Sequence, residues 1–76
     1  MYELTSELPP SYGGETITTP HDSLSHAVIC AIDGYEHGGC LPLRITGWGG
    51  ELEWRIEDDP ELGRLYEMYD RAQIAE

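Results

Sequence analysis

Apolar and polar residues alternate along two segments in the second half of the chain, residues 41–46 and 51–57. Successive side chains of a strand point to opposite faces of a sheet, so this period of two predicts two strands, each buried on one face. The side chains expected to face inward are those of Leu41, Leu43, Ile45, Leu52, Trp54 and Ile56. Because the glycine-rich turn GWGG joins the two segments, we expect them to pair as an antiparallel hairpin.

A period of three to four residues in the middle of the chain predicts a first helix. Its apolar face consists of Leu24, Ala27, Val28, Ala31, Ile32 and Tyr35. Thr19 is a suitable N-cap and Pro20 a suitable first helical residue, because the N–H that proline lacks has no partner at that position. We expect this helix to end at Gly34, Gly38 or Gly39, where glycine can adopt the left-handed conformation.

The same helical period returns after the hairpin and predicts a C-terminal helix. Its apolar face consists of Leu62, Leu65, Tyr66, Tyr69 and Ala72. Asp59 is expected to cap this helix, with Pro60 as its first residue. Part of the acidic run before Pro60 therefore has a structural explanation, since the N-terminal end of a helix dipole favours nearby carboxylates.

The N-terminal part of the chain is rich in residues that interrupt regular structure. Residues 1–14 include two prolines and two glycines and predict an extended or partly ordered arm, in which residues 2–8 would add an edge strand. Residues 14–19 (GETITT) predict a short strand rich in β-branched side chains. Together the elements predict an α+β fold: a single domain of residues 1–76, with an antiparallel sheet of three or four strands and two helices on one face, in the order β-α-β-β-α.

The net charge of the chain limits the kinds of molecule that it is expected to bind. The chain has 15 acidic residues against four arginines and a net charge of −11, and its first basic residue is Arg44. Such a surface repels phosphate and anionic lipid and attracts basic proteins, so we expect neither direct nucleic-acid binding nor a membrane partner. The chain also has no apolar run of about 18 residues and no signal-peptide pattern, which favours a cytoplasmic protein with reduced cysteines.

The hairpin is where these acids are densest. Alternate residues of a strand project about 6.7 Å apart on one face, so Glu51, Glu53 and Glu57 are expected to form a line of carboxylates. Trp48, at the tip of the turn, either folds back over the hairpin or remains exposed as an interface anchor. The predicted partner-binding residues are Trp48, Glu51, Glu53, Glu57, Asp58, Asp59 and Glu61.

One group of potential metal ligands lies along the first helix. His26, Cys30, His37 and Cys40 offer imidazole and thiolate ligands of the kind that zinc prefers. From His26 to His37 the ligands extend over about 16 Å of a straight helix, and Cys40 lies just beyond, which is too far for one tetrahedral ion unless the helix kinks at Gly34. A solvated helix face is therefore the favoured interpretation, and a small zinc-binding protein is an alternative.

No arrangement typical of catalysis or of cofactor binding accompanies these residues. Cys30 and His26 could pair as nucleophile and base, but the sequence shows no oxyanion hole and no nucleophile elbow. The glycine pairs match neither a phosphate-binding loop nor a dinucleotide fingerprint. We expect a non-enzymatic protein without a cofactor.

In size, acidity and compactness over its whole length, the chain resembles the small inhibitors that phages direct against bacterial defence systems, including anti-CRISPR and anti-restriction proteins. This resemblance implies a stoichiometric binder, monomer or homodimer, in the host cytoplasm. Its partner would be a basic protein surface on a CRISPR effector or another nucleic-acid-binding complex, occupied in part by mimicry of nucleic-acid charge. A small assembly or antitoxin-like module, which would bury an apolar patch instead, is an alternative, and so is acidity that serves solubility alone.

Overall fold

The computed structural model describes residues 1–75. They form four strands and two helices: β1 (Tyr2–Glu7), β2 (Thr16–His21), α1 (Leu24–Gly38), β3 (Leu41–Thr46), β4 (Leu52–Arg55) and α2 (Gly63–Ala75). Short 3₁₀ turns lie at Pro10–Tyr12, Trp48–Gly50 and Ile56–Asp58. All strand pairs are antiparallel, in the order β2-β1-β3-β4. The predicted α+β class is confirmed.

The N-terminal segment lies in the interior of the sheet. β1 pairs with β2 on one side and with β3 on the other, so the expectation of an edge strand within a loosely ordered arm is wrong. Leu4 on β1 is 5% exposed and lies opposite Ile45, which is fully buried. The 3₁₀ turn over Pro10–Tyr12 connects the two strands and accommodates the prolines outside the ladder. The edges of the sheet are β2 and β4.

A bulge in β3 changes which side chains face the core. The register passes from Thr5 opposite Arg44 to Ser6 opposite Pro42, which leaves Leu43 as an extra residue on β3. Because one extra residue reverses the alternation beyond it, Pro42 is buried whereas Leu41 is 36% exposed. The prediction that Leu41 and Leu43 face inward together with Ile45 is therefore wrong.

A second bulge shortens the hairpin. β4 pairs with β3 as predicted, with Trp54 opposite the buried Ile45, but Leu52 is opposite Thr46 and Glu53 is the extra residue. Leu52 consequently faces the open side of the sheet and is 49% exposed. Beyond Arg55 the chain leaves the sheet, and Ile56 belongs to a 3₁₀ turn.

α1 begins four residues later than the sequence suggests. Thr19 and Pro20 belong to β2, where they pair with Leu4 and Glu3 of β1. The N-cap of α1 is Ser23, whose hydroxyl accepts a hydrogen bond from the backbone N–H of His26. β2 is an edge strand, where a proline can be placed without removing a ladder hydrogen bond. The prediction of Thr19 as the cap is thus wrong. Of the predicted ends, the helix takes the later one: it continues through Gly34 to Gly38, and Gly39 caps it in the left-handed conformation at φ 70°.

α2 also begins later than predicted, at Gly63 instead of Pro60. Residues 59–62 form a turn in which the Leu62 N–H donates to the Asp59 carbonyl, and Leu62 has a left-handed backbone, with φ 63°. This conformation is unfavourable for leucine by about 1–2 kcal/mol. The Leu62 side chain is only 3% exposed, so its burial offsets that cost.

One hydrophobic core joins the helices to the inner face of the sheet. Its largest fully buried aliphatic side chains are Val28 and Ile32 from α1, Ile45 from β3 and Leu65 from α2. Both helices therefore contribute to the same core. Neither helix in residues 1–75 has the length and apolar character needed to cross a membrane.

Candidate functional site

The β3–β4 loop presents Trp48 to solvent. The Gly47 N–H donates to the Glu51 carbonyl over 2.7 Å and closes the loop at its base. Gly49 and Gly50 have φ of 74° and 82°, which residues with a side chain rarely adopt. At the tip, Trp48 is 74% exposed, so the indole does not fold back over the hairpin; its role as an interface anchor stays a prediction.

The predicted line of carboxylates is not formed. Glu51 lies in the loop before β4, Glu53 is the extra residue at the bulge, and Glu57 belongs to the 3₁₀ turn after the strand. Glu53 is half-buried, and its carboxylate packs against Gly47 so closely that a side chain at residue 47 would crowd it. The 6.7 Å spacing requires a regular strand over residues 51–57, but β4 is four residues long and irregular.

Two arginines lie side by side on the open face of the sheet. Arg44 lies opposite Arg55, and both border a groove of about 310 Å³ together with Leu43, Leu52 and Glu57. The Arg55 guanidinium donates two hydrogen bonds to Asp58, over 2.7 and 3.3 Å. The hydrogen bonds from Arg55 lower the pKa of Asp58, against the opposing effect of its desolvation. Asp58 is thus an ionised carboxylate whose charge is balanced by Arg55, whereas the prediction made it a free negative charge.

Asp59 is a structural residue. Its Oδ2 accepts hydrogen bonds from Trp54 Nε1 and from the Leu65 backbone N–H, each 3.0 Å long. Desolvation of the carboxyl group favours the protonated form, but the hydrogen bonds from Trp54 and from the backbone of residues 63–65 outweigh it, so the net pKa is lowered. Asp59 therefore caps α2, as predicted, although from four residues before the first helical residue, and it is 9% exposed.

Four members of the predicted partner-binding set are left available. Trp48, Glu51, Glu57 and Glu61 are exposed, whereas Glu53 is half-buried, Asp58 is paired with Arg55 and Asp59 is buried. The role of these residues in partner binding remains a prediction.

A different group of side chains comes together where β2 meets α1. His21, the last residue of β2, is 8% exposed, and its Nδ1 lies 2.9 Å from Nδ1 of His26 in the first turn of α1. His26 Nε2 lies 3.9 Å from Cys30 Sγ, one turn further along the helix. One ligand atom from each of the three residues lies within 4.8 Å of the other two. His2Cys is a ligand set that zinc and copper accept.

Thr19 extends this cluster. Its hydroxyl lies 2.8 Å from Nε2 of His21, so both ring nitrogens of His21 have a hydrogen-bonding partner. Burial lowers the pKa of His21, and the neighbouring His26 lowers it further, against a smaller opposing effect of Asp22. Burial also raises the pKa of the Cys30 thiol, with a contribution from Asp33. The buried imidazole and the thiol are therefore both neutral near pH 7.

The ligand set predicted from the sequence does not assemble. α1 continues without interruption through Gly34, so His37 and Cys40 stay at the far end of the helix. His37 Nε2 lies 3.6 Å from Asp33 Oδ1, and Cys40 Sγ lies 3.9 Å from the Gly38 carbonyl oxygen. Cys30 and Cys40 are free cysteines.

The sequence pattern does not single out His21, because it places this residue inside the predicted helix. With Pro20 as the first helical residue, His21 and His26 would be five residues apart on one helix and would point in different directions. The signal was Ser23, which is itself a good N-cap and would place His21 before the helix.

Comparisons with protein-family models, with curated proteins and with solved structures found no match to this chain.

Proposed function

We propose that the protein acts without catalysis, by binding a basic surface of a partner protein. Trp48 would be its anchor, and Glu51, Glu57 and Glu61 its exposed carboxylates. The observation that carries this proposal is the 74% exposure of Trp48 at the tip of the β3–β4 loop, three residues before Glu51. Exposed tryptophan is uncommon on a surface that does not bind, and tryptophan is enriched among the residues that dominate binding energies.

The electrostatics support a cationic partner. The chain has a net charge of −11, and within residues 1–75 Arg55–Asp58 is the one arginine–carboxylate ion pair. Most carboxylates are consequently free to attract a basic surface, which accelerates association. Proteins that handle nucleic acids offer such surfaces, because they bind phosphates through lysine and arginine. A CRISPR effector or another nucleic-acid-binding complex in the cytoplasm is therefore the partner class that we propose, and inhibition by occupying its basic surface is the activity.

The irregular hairpin favours a compact contact over linear mimicry of a nucleic-acid strand. Because Glu51, Glu53 and Glu57 do not lie in a row, they cannot reproduce the regular spacing of phosphates. In the proposed contact, charge increases the rate of encounter and the buried indole slows dissociation.

Affinity capture with matched variants tests this proposal. The purified protein is immobilised and incubated with a nuclease-treated bacterial lysate, and bound protein is eluted with increasing salt. We expect wild type to retain a discrete protein that elutes with salt and is displaced by duplex DNA. Trp48→Ala should lower its retention at least tenfold, and Glu51→Arg with Glu57→Arg should abolish it.

A control pair separates a local contact from general acidity. Glu67→Arg with Asp70→Arg makes the same change in net charge on the exposed surface of α2, away from the Trp48 loop. We expect this pair to retain the captured protein. Equal loss with both pairs, or capture that duplex DNA does not displace, would contradict the proposal.

A further inference from the structure

We propose that His21, His26 and Cys30 form a binding site for a single transition-metal ion of borderline softness, with Zn²⁺ as the preferred ion. The site is independent of the partner-binding proposal, since none of its residues belongs to the Trp48 loop. It also differs from the His26, Cys30, His37 and Cys40 set that the sequence suggests.

The geometry is close to that of a metal site. In tetrahedral zinc sites with bonds of about 2.0 Å to nitrogen and 2.3 Å to sulfur, ligand atoms lie about 3.3–3.6 Å apart. The corresponding atoms here lie within 4.8 Å of one another, so a movement of about 1 Å brings all three to one ion. His26 is exposed and Cys30 is half-buried, which leaves both free to make this adjustment by rotation about their side-chain bonds.

The buried ligand is already oriented. The hydroxyl of Thr19 lies 2.8 Å from His21 Nε2 and can accept a hydrogen bond from the N–H at that position. The other ring nitrogen, Nδ1, then carries the lone pair, which points at His26. Imidazoles that bind metals almost always donate their second N–H in this way, and such partners fix the tautomer and the ring orientation. In the metal-free chain the two Nδ1 atoms lie 2.9 Å apart, so with this tautomer of His21 the His26 Nδ1–H would donate to His21 Nδ1. Zn²⁺ binding would release the thiol proton of Cys30 to solvent, while each neutral imidazole would keep its single proton on the ring nitrogen that does not bind the ion.

The surroundings favour a cation, and the donor atoms select its class. Asp22 lies beside His21 and Asp33 beside Cys30, in a chain with a net charge of −11. Two imidazole nitrogens and a thiolate suit zinc, cobalt or copper, whereas Mg²⁺ and Ca²⁺ prefer oxygen ligands. Three protein ligands leave one position of a tetrahedral ion for water or for an added ligand.

The fold links this site to stability. His21 ends an edge strand, while His26 and Cys30 lie on the first two turns of α1. An ion bound to all three therefore joins the edge of the sheet to the start of the helix. Because the unfolded chain lacks this arrangement, metal binding should stabilise the folded state.

Titration of the reduced, metal-free protein with Co²⁺ and then Zn²⁺ tests the site. We expect one Co²⁺ per chain, with the intense visible bands of tetrahedral cobalt and a near-ultraviolet charge-transfer band from the thiolate. Zn²⁺ should displace Co²⁺ and raise the thermal unfolding midpoint. Mg²⁺ should do neither. Absence of a stoichiometric cobalt complex, or a complex without the thiolate band, would overturn the proposal.

Variants identify the ligands. Cys30→Ser should remove the thiolate band, and His26→Ala, at an exposed position, should lower the affinity for Zn²⁺ at least tenfold with unchanged circular dichroism. Thr19→Val should weaken binding about 10- to 100-fold but keep the thiolate band, as expected for a residue that positions a ligand. His37→Ala and Cys40→Ser are the matched controls and should bind as wild type does. Loss of binding in these controls would assign the ion to the other end of α1 and overturn the proposal.

Discussion

At the residue scale, Asp59 differs from the other acids of residues 1–75 in being buried. It was predicted both to cap α2 and to bind a partner, but its carboxylate is occupied by Trp54 Nε1 and the Leu65 N–H. The first of these hydrogen bonds joins β4 to the start of α2, so the cap also fixes the position of a core side chain. Burial of a carboxylate is favourable here because its hydrogen-bond donors come from groups that would otherwise be buried without a partner.

Asp59→Ala should therefore destabilise the protein by about 2–4 kcal/mol, because it leaves the Trp54 N–H and a helix-terminal N–H unpaired. Urea denaturation monitored by tryptophan fluorescence measures the loss. Asp58→Ala is the control, since Asp58 is exposed and bonded to the exposed Arg55. We expect the control to change the midpoint little. Equal effects of the two substitutions would contradict the role of Asp59.

The lowered pKa of Asp59 adds a dependence on pH. A carboxyl group whose pKa is lower in the folded state stabilises that state above its unfolded pKa of about 4, and this contribution disappears as the pH falls through the folded value. The stability difference between wild type and Asp59→Asn should thus shrink on acidification below about pH 4. Denaturation of both proteins from pH 7 to pH 3 measures it. A difference that is constant or grows on acidification would show that the ionised carboxylate is not the stabilising form.

At the scale of elements, the junction between β2 and α1 differs most from the sequence-based expectation. Thr19 and Pro20 have good helix-start chemistry, but the same residues complete the β1–β2 ladder and Ser23 supplies the cap. The free energies of capping α1 with Thr19 or with Ser23 differ by no more than about 1 kcal/mol, so the pairing of β2 with β1 can decide where the helix begins. The shift places His21 on a strand, and the proposed metal site exists because of it.

Ser23→Ala should lower stability by about 1 kcal/mol, and Ser23→Asp should restore most of that loss, because aspartate is an equally good N-cap. Chemical denaturation of the two variants measures the effect. If Ser23→Ala has the same midpoint as wild type, Ser23 is not the functioning cap of α1.

At the scale of the whole molecule, unbalanced charge is the dominant property. With a net charge of −11 on 76 residues, carboxylates repel one another across the surface, and folding brings them closer together. The carboxylates are not concentrated on the open sheet face, where Arg44 and Arg55 lie side by side. In the proposed contact with a basic partner, the Trp48 loop would therefore provide the specificity that the overall charge cannot.

Salt should stabilise the protein. Raising NaCl from about 10 to about 150 mM shortens the screening length from about 30 to about 8 Å and should increase the thermal unfolding midpoint. Circular dichroism in the presence of a chelator measures this without a contribution from metal binding. Choline chloride at equal ionic strength should act in the same way, because screening does not depend on the identity of the cation. A midpoint that stays constant or falls with both salts would contradict a destabilising role for the surface charge.

The sequence by itself determined the class of the fold, the two helices, the β3–β4 hairpin and the exposed acidity. These features follow from local patterns: the period of three to four residues in α1 and α2, the alternation around Trp54, and the excess of carboxylates. Each of these patterns depends only on residues that lie close together in the sequence. The end of α1 was predictable as one of the glycines 34, 38 and 39, and Gly39 adopts the left-handed conformation that glycine tolerates.

Tertiary structure alone decided the register and the start of α1. The bulges at Leu43 and Glu53 arise from pairing with other strands, and each reverses the inward and outward sides that simple alternation assigns. They dispersed the predicted row of glutamates and turned Leu52 outward. Pairing of β2 with β1 likewise moved the helix start to Ser23 and brought His21 beside His26 and Cys30. Contacts between residues distant in sequence carry no periodic signal, so the two bulges could be seen only in the folded molecule. For the start of α1 the sequence offers both Thr19 and Ser23 as caps, and pairing with β1 decides between them.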